Sequence, residues 1–159
     1  MFMAVFILVF STALFLFYLQ ATCQKILRRR FDQEFFHSIV NANRLEFPFV
    51  RRALEEYNDV PVDYARFRMQ LKCDFLALTY LLKNAANARQ RLTRQEHLLV
   101  MYFRALFVVL GAFHLLGWGE KTPILKMTSI LEYFANVLGE RVNTIRFGNI
   151  SASDYLMSL

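Results

Sequence analysis

The first twenty-four residues, Met1 to Gln24, carry no charged side chain, and a basic segment from Lys25 to Arg30 follows them directly. Twelve of the first nineteen residues are Phe, Leu, Ile or Val. Because an α-helix rises about 1.5 Å per residue, about twenty such residues cross a hydrocarbon core about 30 Å thick. We therefore predict that residues 1–24 form a transmembrane anchor.

A buried helix of a soluble core is one alternative for this segment, but such helices rarely run this long without a charge. A cleaved signal peptide is another, and it would begin with basic residues. Residues 1–6 contain no Lys or Arg. A lipoprotein signal is also disfavoured, because Gln20 stands three places before Cys23, where a hydrophobic residue is required. We expect the segment to be retained.

The positive charges next to the anchor predict its orientation. No Lys or Arg precedes the anchor, whereas Lys25, Arg28, Arg29 and Arg30 follow it. The positive-inside rule then predicts that the N-terminus lies outside and that the remaining chain lies in the cytoplasm. We expect these four residues to lie at the membrane surface, where anionic lipid headgroups attract each by about 1 kcal/mol. Setting the topology is their expected main role.

The rest of the chain is long enough for one compact domain and is rich in aromatic residues. The 159 residues include 17 Phe and 7 Tyr, an excess that predicts a surface facing lipid or a protein partner. Cys23 and Cys73 have no pairing or metal-binding spacing, and cytoplasmic cysteines normally remain reduced.

The periodicity of apolar residues predicts an all-α fold with no strand. Residues 25–46 are predicted to be a basic juxtamembrane extension of the anchor helix, which continues to about Val40 with Leu27, Phe31, Phe35 and Ile39 in one stripe. Residues 47–159 are predicted to be a small cytoplasmic helical bundle. Its first helix is predicted from Pro48 to Tyr57, and its second from an Asp63 cap to about Gln90. The third begins at a Thr93–Glu96 capping box and ends at Leu116, before Gly117. A fourth begins at Thr122-Pro123.

The segment 98–118 is ambiguous, because it is apolar on every side except for Arg104 and His114. A second membrane span would place Arg104 within the bilayer, at a cost of about 2.5–3.5 kcal/mol at its centre. We therefore expect it to be the central helix of the soluble bundle, with a second span as the alternative.

No catalytic signature is present. Glu34 and His37 have the Glu-x-x-His spacing of di-iron bundles, but those sites need two such motifs and two more glutamates. The chain has no nucleophile elbow, phosphate-binding glycine loop or dinucleotide fingerprint. The 14 Arg and 5 Lys are dispersed among carboxylates, which is typical of a solvated surface and disfavours nucleic-acid binding. We predict no catalytic residue, metal or cofactor.

His114 is the one exception, since it lies on an apolar helix one turn after Gly111. A neutral imidazole beside a small residue can serve as an axial ligand of a haem or chlorophyll-type metal. A hydrogen-bonded histidine without a ligand is the more common arrangement.

These observations favour a non-catalytic, membrane-anchored accessory or scaffold subunit of a larger membrane protein complex. Its anchor would pack against other integral membrane subunits through Phe6, Phe10 and Phe17. One alternative is a cofactor- or pigment-holding subunit of a respiratory or photosynthetic complex, with His114 as the axial ligand. Another is an enzyme acting on lipid or envelope substrates, for which no residue can be nominated.

Overall fold

The computed structural model describes residues 2–31, 33–56, 63–84 and 92–157, with side chains described as far as residue 144. Over this part of the chain the protein forms six helices and no strand. The helices are α1 (Phe2–Leu27), α2 (Phe36–Asn43), α3 (Phe47–Glu56), α4 (Tyr64–Asn84), α5 (Arg94–Leu116) and α6 (Lys121–Met157). The all-α prediction is confirmed.

Several helix ends follow from local side-chain chemistry. Thr93 and Glu96 form the predicted capping box, in which each side chain accepts a hydrogen bond from the other's backbone amide. Asp63 accepts a hydrogen bond from the Arg66 amide at the start of α4. Gly117 ends α5 in the left-handed conformation, with φ of 66°, which glycine adopts without steric cost.

The core forms around α6, which α2, α3, α4 and α5 surround. Apolar residues at helical spacing on α6 and along one side of α4 are buried in this core: Ile124, Met127, Leu131, Phe134 and Leu138; Phe67, Leu71, Phe75, Leu78 and Leu82. The prediction that 98–118 forms the central helix is wrong. Helix α5 packs at the side of α6 and also contacts α1. Its remaining face is uncovered, and Met101, Arg104 and Val108 are exposed there.

The predicted continuation of the anchor helix to Val40 is also wrong, because α1 ends at Leu27 and α2 begins at Phe36. Between the two helices, Phe31 and Phe35 contact α6. Phe35 packs directly against Gly139, and the Phe36 amide donates to Asn136 Oδ1 at 2.9 Å. Tertiary contacts of Phe35 and Phe36 with α6 therefore outweigh the helical periodicity of the segment.

Helix α1 has two different halves. The side chains from Phe2 to Tyr18 are all exposed. Leu19 and Cys23 are buried against α5, and the Cys23 thiol donates to the Leu98 carbonyl at an S···O distance of 3.8 Å. Among the described helices, α1 and α5 are the two that are long and apolar enough to cross a membrane, a test that a buried core helix also passes.

Candidate functional site

A polar cleft of about 720 Å³ lies where α1 ends and the chain turns into the bundle. Four parts of the fold form its walls: the last turns of α1 with the following turn, α3, α5 and α6. The lining residues are Gln24, Leu27, Arg28, Arg29, Arg30, Phe31, Glu34, Arg51, Tyr102, Lys126, Ser129, Glu132, Tyr133 and Asn136. We call this space the basic cleft.

Five cationic side chains and two carboxylates line the basic cleft. Arg51 is bound to Glu132 and, at 3.0 Å, to Glu55 outside the cleft. Arg29 is bound to Glu140 at 3.2 Å. The other three cations, Arg28, Arg30 and Lys126, form no ion pair with any carboxylate in the described part of the chain. Among the described residues that line it, the cleft therefore has five cations against two carboxylates, a surplus of positive charge.

Two tyrosines add hydroxyl groups to this positive surface. Tyr102 is only 5% exposed, and its hydroxyl group is buried with no hydrogen-bond partner within the described residues. Burial raises the pKa of Tyr133, and the neighbouring Arg29 guanidinium offsets part of this rise. Tyr133 therefore remains protonated at neutral pH and can donate a hydrogen bond.

A second, apolar cavity of about 230 Å³ adjoins the basic cleft. It lies between α1, α5 and the start of α6, with Leu16, Leu19, Gln20, Tyr102, Ala105, Leu106, Val109, Phe113, Thr122, Pro123 and Lys126 as its lining. Tyr102 and Lys126 line both spaces. We call this cavity the apolar groove; it extends from the basic cleft towards the exposed half of α1.

Sequence reasoning identified part of this site. Arg28, Arg29 and Arg30, which were predicted to lie at the membrane surface, line the basic cleft, whereas Lys25 is exposed and lies outside it. Arg51, Tyr102 and Lys126 were missed, because no local motif connects residues so distant in sequence. The predicted packing-face residues, Phe6, Phe10 and Phe17, lie away from the site on the exposed half of α1.

His114 lies at the opposite end of α5, outside the described cavities. Its Nδ1 is 2.6 Å from Glu120 Oε1, and its ring stacks on Tyr64 with 3.8 Å between the ring centroids. The Tyr64 hydroxyl also lies 3.7 Å from where a Cβ on Gly111 would stand. Tyr64 therefore occupies the space that a flat cofactor would need on that side of the imidazole.

The described residues contain no group of three His, Cys, Asp or Glu that could hold a metal ion. Glu34 precedes α2 while His37 lies within it, so the two do not share a helix face. Arginine, lysine and tyrosine donors around an open space are suited to binding an anion.

Comparison with known proteins gives no match: no family model, curated protein or solved structure is similar to this chain. Its function must therefore be inferred from its own residues and their arrangement.

Proposed function

We propose that the protein is a non-catalytic accessory subunit of a membrane protein complex, anchored by α1. The observation that carries this proposal is the contrast within α1. Phe2 to Tyr18 are exposed on every side, yet Leu19 and Cys23 join the same helix to the bundle core. The eighteen residues from Phe2 to Leu19 span about 27 Å, close to the thickness of a hydrocarbon core.

The end of α5 supports a position of the bundle close to the membrane surface. Phe113 lines the apolar groove together with Leu16, which lies near the end of the exposed half of α1. Nearby Leu115, Leu116 and Trp118 are large, apolar and exposed. Tryptophan is favoured at membrane interfaces, so this rim of the bundle suits the boundary between lipid and water.

Helix α5 itself is better suited to the bundle than to a second span, because α4 runs along it in the opposite direction. Phe75 of α4 stacks on Phe103 of α5, and Arg68 lies 4.8 Å from the Phe107 ring centroid. If α5 crossed the bilayer, Arg68 and Lys72 of α4 would enter it as well. Each charge near the bilayer centre costs about 2.5–3.5 kcal/mol, which favours α1 as the single anchor.

The charge distribution supports a cytoplasmic bundle. Lys25 and Arg28–Arg30 lie directly after the apolar stretch of α1, on the side that leads to α2. On the positive-inside rule, the N-terminus of α1 lies outside and α2–α6 lie in the cytoplasm.

A partner within the membrane is supported by the side of α1 that the bundle leaves uncovered. At about 100° per residue, Phe6, Phe10 and Phe17 lie within about 40° of one another around the helix. Their direction is about 140° from that of Leu19 and Cys23, which face α5. This face is open to another transmembrane helix while the bundle stays attached.

Site-specific photocrosslinking tests this proposal. A benzophenone side chain replaces Phe17 in one variant and Phe15 in a matched control, which lies at nearly the same depth but about 160° away around the helix. Crosslinking is carried out in native membranes, and the products are identified by mass spectrometry. We expect Phe17 to give a discrete protein adduct that also co-purifies stoichiometrically, and Phe15 to give mainly lipid adducts. Lipid adducts alone at both positions, together with a monodisperse protein lacking co-purifying chains, would contradict the subunit proposal.

A further inference from the structure

We propose that the basic cleft and the apolar groove form one binding site for a phosphorylated amphiphile, a molecule with a phosphate group on an alkyl or acyl chain. The two spaces meet at Tyr102 and Lys126, which line both. One end of the combined site is cationic, and the other is formed by apolar side chains. This inference goes beyond the proposed subunit role; the membrane as the source of the ligand, and the depth of the cleft relative to the headgroups, rest on α1 being an anchor.

The donors in the basic cleft are suited to a phosphate group. Arg28, Arg30 and Lys126 form no ion pair with the described carboxylates, so a ligand would not have to displace an internal partner from them. Arginine presents paired N–H groups that match phosphate oxygens, and lysine adds a point charge. A phosphate also offers enough acceptor oxygens to engage several of these donors at once.

Tyr102 provides a second, independent indication of a ligand. Its hydroxyl group has no hydrogen-bond partner among the described residues, although the residue is 95% buried. A buried hydroxyl group without a partner is rare in folded proteins, and each case requires an explanation. An acceptor oxygen of a ligand at the junction of the two spaces would satisfy this group.

The apolar groove indicates that the ligand also carries a hydrophobic chain. Leu19, Leu106, Val109 and Phe113 line the groove, which reaches Leu16 in the exposed half of α1. A chain entering from the hydrocarbon layer beside Leu16 would reach Tyr102 without leaving apolar surroundings. The phosphate would then lie among the cations beyond Tyr102.

The distance along α1 argues for a specific site and against general attraction to the membrane surface. Leu27 lies eight residues beyond Leu19, about 12 Å further along the helix. The headgroup layer extends only about 5–8 Å beyond the hydrocarbon core. With Leu19 at the edge of the core, Arg28 and Arg30 lie beyond the headgroups, and the apolar groove connects them to the lipid.

The test measures binding of radiolabelled oleoyl lysophosphatidic acid to the full-length protein in phosphatidylcholine nanodiscs, with empty nanodiscs subtracted. Oleoyl lysophosphatidylcholine has the same chain but a zwitterionic headgroup, and inorganic phosphate has no chain. We expect saturable binding of lysophosphatidic acid, with both competitors at least about tenfold weaker. Lysophosphatidylcholine keeps a phosphodiester but has no net charge, so its equal competition would overturn recognition of an anionic phosphate headgroup. Equal competition by inorganic phosphate would overturn the role of the chain and indicate a site for free phosphate.

Single substitutions distinguish the site from surface attraction. Arg30→Gln and Lys126→Gln remove cations of the basic cleft, whereas Lys25→Gln removes one from the same basic region but outside the cleft. We expect the first two variants to bind lysophosphatidic acid about tenfold more weakly and the third to change binding less than about twofold. Circular dichroism verifies that each variant is folded, and Tyr102→Phe provides a further variant of nearly unchanged shape. Equal effects of all three charge substitutions would overturn the proposal. Failure of the protein to enter nanodiscs would contradict the proposed anchor and leave the binding site to be tested. The same titration would then use detergent-solubilised protein.

Discussion

The Arg141 guanidinium lies 2.5 Å from the Glu96 carboxylate, and this ion pair joins α6 to α5. Glu96 is 3% exposed and also completes the capping box of α5 through the Thr93 amide. Arg141, on α6, donates a further hydrogen bond to the Leu82 carbonyl near the end of α4 at 3.1 Å. One carboxylate therefore stabilises the start of α5 and neutralises a largely buried cation.

Glu96→Gln is expected to lower the free energy of unfolding by about 3–5 kcal/mol, because it leaves Arg141 without its charge partner in a poorly solvated position. Glu140→Gln is the matched control. It removes the partner of Arg29 in a pair whose side chains are nearly half exposed, so we expect a loss of about 0–1 kcal/mol. Denaturant unfolding in detergent micelles, followed by circular dichroism, measures both changes. Equal losses would show that burial of the Glu96–Arg141 pair has no special effect.

Tyr102→Phe is expected to raise the free energy of unfolding of the ligand-free protein by about 1–3 kcal/mol. The substitution removes a buried hydroxyl group that has no partner among the described residues and keeps the aromatic ring. The same variant should bind lysophosphatidic acid more weakly, because the ligand loses a hydrogen-bond donor. Thermal unfolding with and without ligand measures both effects. A Tyr102→Phe variant that is less stable without ligand would mean that the hydroxyl group is already satisfied within the protein.

Two glycines are expected to respond to alanine in opposite directions. A Cβ on Gly139 would stand 2.0 Å from Phe35 Cβ, so Gly139→Ala must displace the turn between α1 and α2. We expect a loss of about 1–3 kcal/mol in the free energy of unfolding. Among the described residues, a Cβ on Gly111 meets the Tyr64 hydroxyl alone, at 3.7 Å, which is an ordinary contact. Gly111→Ala should therefore gain up to about 1 kcal/mol from higher helix propensity. Stabilisation by both substitutions, measured by denaturant unfolding, would contradict the close contact of Phe35 with α6.

The same contact explains which parts of the fold could be predicted from sequence. The ends of α5 were predictable, because Thr93, Glu96 and Gly117 act within one or two turns of the positions that they cap. The end of α1 at Leu27 was not, because it depends on Phe35 meeting Gly139, about a hundred residues later in the chain. Arg28–Arg30 were recognisable as one cationic group because they are adjacent in sequence. No local pattern indicates that Lys126 lines the same cleft, because the contact depends on the tertiary fold.

The pH dependence of stability should include a contribution from Asp74. Its Oδ2 accepts hydrogen bonds from the Glu46 and Phe47 amides at 2.8 and 2.6 Å, at the start of α3. Burial raises the pKa of Asp74, and these two amides offset part of the rise. The folded protein then takes up this proton at a higher pH than the unfolded chain does. The stability linked to this proton is fully present at acidic pH and is lost as the pH rises through the folded-state pKa.

Asp74→Asn keeps a side-chain oxygen acceptor but does not titrate, so it isolates this contribution. The free energy of unfolding of the wild type, relative to that of Asp74→Asn, should increase as the pH falls from 7 towards the ordinary titration range of aspartate. Denaturant unfolding of both proteins over this range provides the measurement. A relative stability that decreases on acidification would mean that the amide hydrogen bonds outweigh burial and lower the pKa.

The position of the bundle on one side of a membrane crossed by α1 alone is tested most directly by thiol accessibility. Cys73 on α4 is exposed, whereas Cys23 is buried and can be replaced by Cys23→Ala. Adding Gly119→Cys places a second thiol just beyond α5, at a position where no described residue comes within 4 Å of the added Cβ. A membrane-impermeant maleimide is then applied to sealed vesicles of each orientation. We expect Cys73 and the thiol at position 119 to be labelled only from the cytoplasmic face. Labelling of the two positions from opposite faces would mean that α5 crosses the membrane, and it would contradict the single-anchor account.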